Sequence, residues 1–353
     1  MLYYYSSAEY LVPLHKMVSD IINNVADPAL NLAKTQGRDQ QLSSKRWGAR
    51  DTSQNWSNNA WPFLKDLQSS LARDIATRPY GEYRKTAVND CMRGIDEYST
   101  DWMTDQEEQK LRHTMARISD YALPHDHTLD SYQNWWDDYE FFSYFKNFAA
   151  DNSAIPQFRV RSDISALTGE VPPVTGVYIA NNDPHANLQF LWSEKGGPVL
   201  REAKTFNDIG LAALAKVGRG ALWADEKAMF DFAMSEEYTS LFRPSIYVGG
   251  QSWISAAPAV VASRAFKSAP AKWSLVEIVP GKTQLLDTLE IASSETHFNV
   301  QQARGGTSCV TDGFYFTPSS LQSRRFFVKG DIFPNVNSNF GDTNWQWDDE
   351  QGN

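Results

Sequence analysis

Residues 172–192, PPVTGVYIANNDPHANLQFLW, and 198–223, PVLREAKTFNDIGLAALAKVGRGALW, decide how this chain reads, because a helical pattern here gives way to a mixed one. Val174, Val177 and Ile179 form a β-branched run, and Asn181-Asn182-Asp183-Pro184 supplies a turn after it. Leu188, Phe190 and Trp192 are apolar at every second position, the pattern of a half-buried strand. A turn over Glu194-Lys195-Gly196-Gly197-Pro198 leads to a third short strand at Val199–Ala203. Thr205 or Asn207 can then cap a helix carrying Ile209, Leu211, Leu214 and Val217, which Gly218 or Gly220 can stop. Strand, hairpin, strand, helix is a scaffold. Nothing in it has a catalytic pattern.

Upstream, residues 8–150 read as helical. Leu11, Leu14, Val18, Ile21, Ile22 and Val25 make a first stripe, with Pro13 in the opening turn, and Asp27-Pro28 restarts the chain into a second helix. The polar stretch from Trp47 to Asn59 reads as a loop. Trp61, Leu64, Leu67, Leu71 and Ile75 form a third helix ending before Arg78-Pro79, and Tyr83, Ala87, Cys91, Ile95 and Tyr98 a fourth. Thr104 and Glu107 have the spacing of a capping box, which predicts a fifth helix from there to Leu123-Pro124. A last, strongly aromatic helix is expected over Thr128–Ala150.

Residues 1–155 are therefore expected to form an α-helical bundle domain. Residues 156–171, polar and ending Gly169-Glu-Val-Pro-Pro173, read as a linker. Residues 172–353 are expected to form an α+β domain with a small, mainly antiparallel sheet. Within it, Asp225–Met234 and Ala256–Lys267 read as helices, the latter entered at Pro258, with Arg243–Gln251 a loop between them. Trp273–Val279 reads as a strand turned by Pro280-Gly281 into a partner at Leu285–Ile291. Gly313–Thr317 and Ser323–Lys329 are further strands before a Gly-, Pro- and Asn-rich tail.

The length of 353 residues suits two domains, and 13 % aromatic residues, 12 of them Trp, exclude a disordered chain. No apolar run reaches the roughly 18 to 20 residues of a membrane helix. The start, MLYYYSSAEY, lacks the pattern of a secretory signal, so a cytoplasmic location and no membrane partner are expected. Cys91 and Cys309 then read as buried free thiols. Charge is uneven: between Asp96 and Glu140 twelve acidic residues face only Lys110, Arg112 and Arg117, so this segment carries −9 of the chain's −10. Such a field disfavours phosphate backbones and favours a basic partner, unless it is simply a solvated face.

Few residues carry candidate chemistry. His125-Asp126-His127, with Asp130 beyond, have metal-ligand side chains, and a metal-dependent hydrolase is the alternative reading they support; the other is a polar connector with Asp126 or Thr128 capping the next helix. No G-x-S-x-G occurs, Cys309 has no histidine nearer in sequence than His297, and the Gly249-Gly250 and Gly305-Gly306 pairs are not phosphate loops. Arg324-Arg325 beside Phe326 and Phe327 could stack on RNA, but the surrounding acidity favours a salt-bridged sheet and no nucleic-acid partner. Indoles lie beside carboxylates twice, at Trp135-Trp136-Asp137-Asp138 and at Trp345-Gln-Trp347-Asp348-Asp349-Glu350. Aromatics rimmed by charge suit a protein interface, although one of Trp135 and Trp136 should fill the core. Trp135, Trp136, Asp137, Asp138, Glu140, Asp126 and Asp130 are thus the candidate partner-binding residues.

The segments PPVTGVYIANNDPHANLQFLW, TFNDIGLAALAKVGRGALW, GFYFTPSSLQSRRFFVKGDIFP and GDTNWQWD resemble the immunity protein 71 and 72 families over residues 172–348, about half of the chain. The resemblance implies a bacterial protein encoded beside a polymorphic toxin, which protects its producer by binding the toxin one to one. It implies no enzymatic activity and no cofactor, and it carries over no functional residue. The acidic segment adds the expectation of a basic toxin domain, such as a nuclease.

Overall fold

A computed structural model describes the chain outside residues 44–47, 131–135, 152–153, 182, 195–196, 249–250, 286–301, 310, 318–322, 335–342 and 348–353. The fold is α+β. It divides into two compact units, residues 1–218 with 222–289, and residues 219–221 with 290–353.

Helices fill the start of the first unit: α1 (Leu2–Tyr5), α2 (Ala8–Ile21), α3 (Asp27–Thr35), α4 (Asp39–Leu42), α5 (Ser53–Asn59), α6 (Trp61–Thr77), α7 (Val88–Asp96), α8 (Asp105–Leu129) and α9 (Asp138–Asp151). Their helical spacing places Leu11, Leu14, Val18 and Ile21 of α2 in one core with Leu64, Leu67 and Leu71 of α6. Leu111, Met115 and Ile118 of α8 complete it. Each such side chain, fully buried, is worth about 1.5–3 kcal/mol. Ser7 caps α2, which puts Pro13 inside the helix rather than in its first turn. A π-helical turn at Ile22–Ala26 carries α2 into α3 without a break.

Several helical boundaries differ from expectation; the aromatic helix expected over Thr128–Ala150 begins only at Asp138, and the one expected over Ala256–Lys267 ends at Ala262. The polar stretch read as a loop contains α5, because Asp39 from upstream and Thr52 within the stretch satisfy its helix start. The Asp39 carboxylate accepts from Ser53 N, Ser53 Oγ and Gln54 N, and Thr52 Oγ1 accepts from Asn55 N. The fourth helix is shorter than expected, since Tyr83, Ala87 and Tyr98 lie outside α7. Most consequential is α8, which starts at the expected capping box but continues through Pro124 to Leu129. Proline deletes one backbone bond, and burial of Pro124, His125, Thr128 and Leu129 holds the extra turn in place.

Residues 154–167, which run from the end of the segment read as helical into the 156–171 segment read as a linker, are strand β1. It pairs antiparallel with β8 (Lys272–Leu285), which pairs with β2 (Gly176–Ala180), and that strand with β3 (Leu188–Leu191). Pro280-Gly281 therefore makes no hairpin turn. Val279 to Lys282 bulge opposite Gln157, between the pairs Pro156–Thr283 and Phe158–Ile278, with Gly281 at φ +70°. The expected partner strand beyond Leu285 lies outside the described residues. Alternation gives the sheet two covered faces. Ile155, Val177, Leu188, Phe190 and Val276 meet α1 and α9, while Tyr178, Ala180, Leu191, Trp273 and Leu275 meet Leu200 and Ala203.

The third strand of the deciding stretch lies later than expected, as β4 (Ala203–Phe206) paired with β7 (Phe266–Ala269). The buried Gln189 side chain occupies the backbone ahead of it: Oε1 accepts from Arg201 N, and Nε2 donates to Arg201 O and Glu202 O. Asn207 then caps α10 (Asp208–Val217), as its position predicts, and Gly218 follows the last turn. The helices α11 (Glu226–Ala233), α12 (Thr239–Ile246) and α13 (Ala257–Ala262) pack with α10 around Phe206, Met229, Phe242 and Val261. Arg243–Ile246, expected as loop, is thus helical, and the short strands β5 (Tyr247–Val248) and β6 (Gln251–Ser252) pair antiparallel beyond it.

The second unit contains an antiparallel sheet. Its strand order is β11 (Arg325–Phe327), β10 (Gly313–Phe316), β12 (Asn344–Trp347), β9 (Gln302–Arg304). Cys309, Tyr315, Phe327, Phe333 and Trp345 form its core. Trp345 is therefore a core residue, while Asp348, Asp349 and Glu350 lie outside the described residues. Arg324 lies over the Phe314 ring at 4.1 Å, and Arg325 over the rings of Phe327 and Trp345 at 4.8 Å each. Both guanidinium groups therefore have cation–π contacts. Cys91 and Cys309 are buried free thiols.

Candidate functional site

The acidic segment divides in two on folding. Its first part surrounds the junction of α7 and α8, where Thr104 Oγ1 accepts from Glu107 N and the Glu107 carboxylate accepts from Thr104 N. Arg38 binds Glu107 through both terminal nitrogens, at 2.6 and 3.3 Å. Arg112 donates to Glu108 at 2.7 Å and stands 3.9 Å from Asp96. Glu97, Asp101 and Asp105 are exposed at the same junction, and among the described residues none of them forms an ion pair. Asp105 also opens α8, where the helix dipole favours a carboxylate.

The second part is turned inward. Asp126 accepts from Thr86 N at 2.6 Å and Thr86 Oγ1 at 2.8 Å, and burial pushes its carboxyl up to about 6 despite those bonds. Asp130 pairs with Lys85 at 2.9 Å. Trp136 is 4 % exposed and stacks on Tyr5, with ring centres 5.9 Å apart. Asp137 is buried, accepts from Glu140 N at the start of α9, and pairs with Lys204 of β4 at 2.6 Å. Asp138 accepts from Trp223 Nε1 at 2.6 Å. Burial and the neighbouring Asp137 raise the Glu140 carboxyl, partly offset by Lys204.

Asp126, Asp130, Trp136, Asp137 and Asp138 thus each have a partner within the first unit, and these internal contacts compete with their reading as partner-binding residues. Trp136 is the indole that fills the core; Trp135 lies outside the described residues. The sequence signal missed was Met-Leu-Tyr-Tyr-Tyr at the start. Tyr3 Oη donates to Val276 O and accepts from Val177 N, and Tyr5 receives Trp136.

His125, Asp126 and His127 are consecutive on a helix, so their side chains leave the axis about 100° apart. They diverge accordingly. His125 is fully buried, its Nδ1 is 2.7 Å from Tyr5 O and its Nε2 3.3 Å from Arg84 O, and burial lowers it to about 4. The 2.7 Å contact places the proton on Nδ1, since only an N–H can bond a carbonyl. His127 instead meets Tyr144 Oη through Nδ1 at 3.2 Å. Among the described residues no three His, Cys, Asp or Glu side chains form a group that could hold a metal ion. No helix among the described residues is long and apolar enough to cross a membrane. In comparison with known proteins, the chain matches no family model, no curated protein and no solved structure.

Proposed function

We propose that this chain is a bacterial immunity protein that neutralises a basic toxin domain, such as a nuclease, by one-to-one binding inside the producing cell. The observation carrying the binding surface is the group Glu97, Asp101 and Asp105, exposed at the α7–α8 junction without ion-pair partners among the described residues. The class of partner comes from the sequence resemblance to the immunity protein 71 and 72 families. Aligned negative charge would steer a basic partner and speed association. The reading needs no cofactor. It places the contact on the outer part of the acidic segment, because Asp137 and Asp138 already bind Lys204 and Trp223.

The test is association kinetics with the product of the adjacent gene, for the parent and the Glu97→Lys/Asp101→Lys/Asp105→Lys variant. Screening acts over about 10 Å at 0.1 M salt, so the parent's on-rate should fall as salt rises. The triple variant should associate at least roughly tenfold more slowly at low salt, with a flatter salt dependence. A complex that forms at the same rate with and without the three carboxylates would refute this surface. No complex with that product would refute the immunity reading.

A further inference from the structure

At the C-terminal end of α6 lie several buried polar atoms without hydrogen-bond partners. Asp74, Thr77 and Arg78 stand at i, i+3 and i+4 and so share one face of the helix. Asp74 Oδ1, Thr77 Oγ1, and Nε and Nη2 of Arg78 are buried, and none makes a hydrogen bond to the protein. The two charged residues are almost wholly enclosed, Asp74 at 3 % and Arg78 at 7 % exposure. The rest of Arg78 is occupied: Nη1 donates to Ser6 O at 2.9 Å, and the Tyr83 ring covers the guanidinium at 4.5 Å. Asp74 Oδ1 has Arg84 Nε at 3.4 Å and Arg73 Nε at 3.9 Å as ion-pair neighbours, without hydrogen-bond geometry.

Nε–H and Nη2–H form one edge of the guanidinium, two parallel donors that can share an acceptor. Leaving such an edge bare inside a protein is costly, more so than for a neutral donor. The four atoms comprise two donors, one carboxylate acceptor and one hydroxyl that can accept. We propose that this turn holds one ordered water molecule. Its oxygen accepts from Nε and Nη2 of Arg78, and its two O–H groups donate to Asp74 Oδ1 and Thr77 Oγ1. Four bonds lie at the upper end of the two to four usual for buried water. A carboxylate or phosphate in the Arg78 fork would set a second negative charge against Asp74, so the neutral ligand is favoured. The water would tie the end of α6 to the N-terminal segment through Arg78 and Ser6.

Thermal melting of Thr77→Val and Thr77→Ser gives opposite signs for the two cases. Valine keeps the shape and β-branching of threonine but cannot accept the water's O–H. With the water present, Thr77→Val should lower Tm by about 1–2 °C, the shift for roughly 1 kcal/mol in a chain of this length. Thr77→Ser should stay within about 0.5 °C of the parent on the same scale. Without the water, valine removes a buried unpaired hydroxyl and Tm should hold or rise, which would overturn the proposal. A parent Tm that climbs with phosphate or acetate at constant ionic strength, and no longer climbs in Arg78→Lys, would overturn it in favour of an oxyanion. A crystal structure of the full chain should show a single density peak about 2.7–3.2 Å from the four atoms. Side chains repacked so that Asp74 grips the Arg78 fork directly would refute it.

Discussion

Asp126 and His125, adjacent on α8, should make stability depend on pH in opposite senses. Burial raises the folded-state Asp126 carboxyl to about 6, above its unfolded value near 4. The folded protein therefore holds that proton more tightly, and the associated stability is full below about pH 4 and is lost as pH rises through 6. Burial lowers His125 to about 4, below the ordinary value near 6.5. Its contribution is full above about pH 6.5 and is lost as pH falls towards 4. Each displacement corresponds to about 3 kcal/mol, so over pH 4–6.5 the two slopes largely cancel in the parent. Substitution should unmask them. Relative to the parent, Asp126→Asn should gain about 3 kcal/mol between pH 4 and pH 7, since Asn can still accept from Thr86 N without ionising. His125→Asn, which can keep a donor towards Tyr5 O, should show the reverse, comparing better with the parent at pH 4 than at pH 7 by a similar amount. Urea unfolding followed by tryptophan fluorescence at four pH values, at constant ionic strength, measures both differences. An Asp126→Asn difference that does not change with pH would refute the argument, and two differences of the same sign would refute the opposition.

Two further substitutions test the packing around the candidate surface and the second half of the first unit. Thr104→Ala removes the acceptor for Glu107 N and should cost about 1 kcal/mol in urea unfolding, within the usual range for a lost N-cap; an unchanged midpoint would remove the cap as the start of α8. Gly210→Ala would bring a methyl group to 2.4 Å from the Ala265 carbonyl oxygen, a backbone atom that cannot swing aside. It should cost about 1–3 kcal/mol through a shift of α10, and a variant as stable as the parent would show that α10 sits farther from Ala265.

Local pattern alone determined much of this protein. The apolar stripes of α2, α6 and α8, the Thr104 box, the Asn207 cap and the strands at 176–180 and 188–191 depend on neighbours within a few residues, and they form where the spacing puts them. Tertiary structure decided whatever depends on a distant partner. Residues 156–167 read as part of a linker because they are polar and run into a Gly- and Pro-bearing end, yet β8, over a hundred residues later, makes them strand. Pro124 ends a helix in isolation; buried packing carries α8 past it, which in turn sends His125, Asp126 and His127 in three directions. The acidic segment shows the limit most clearly. Its twelve carboxylates are equal in the sequence, and nothing local distinguishes Asp101, left in solvent, from Asp137, buried against a lysine 67 positions away. A charge belongs to the surface or to the interior according to what the fold brings to it, and that is set by the packing of separate elements.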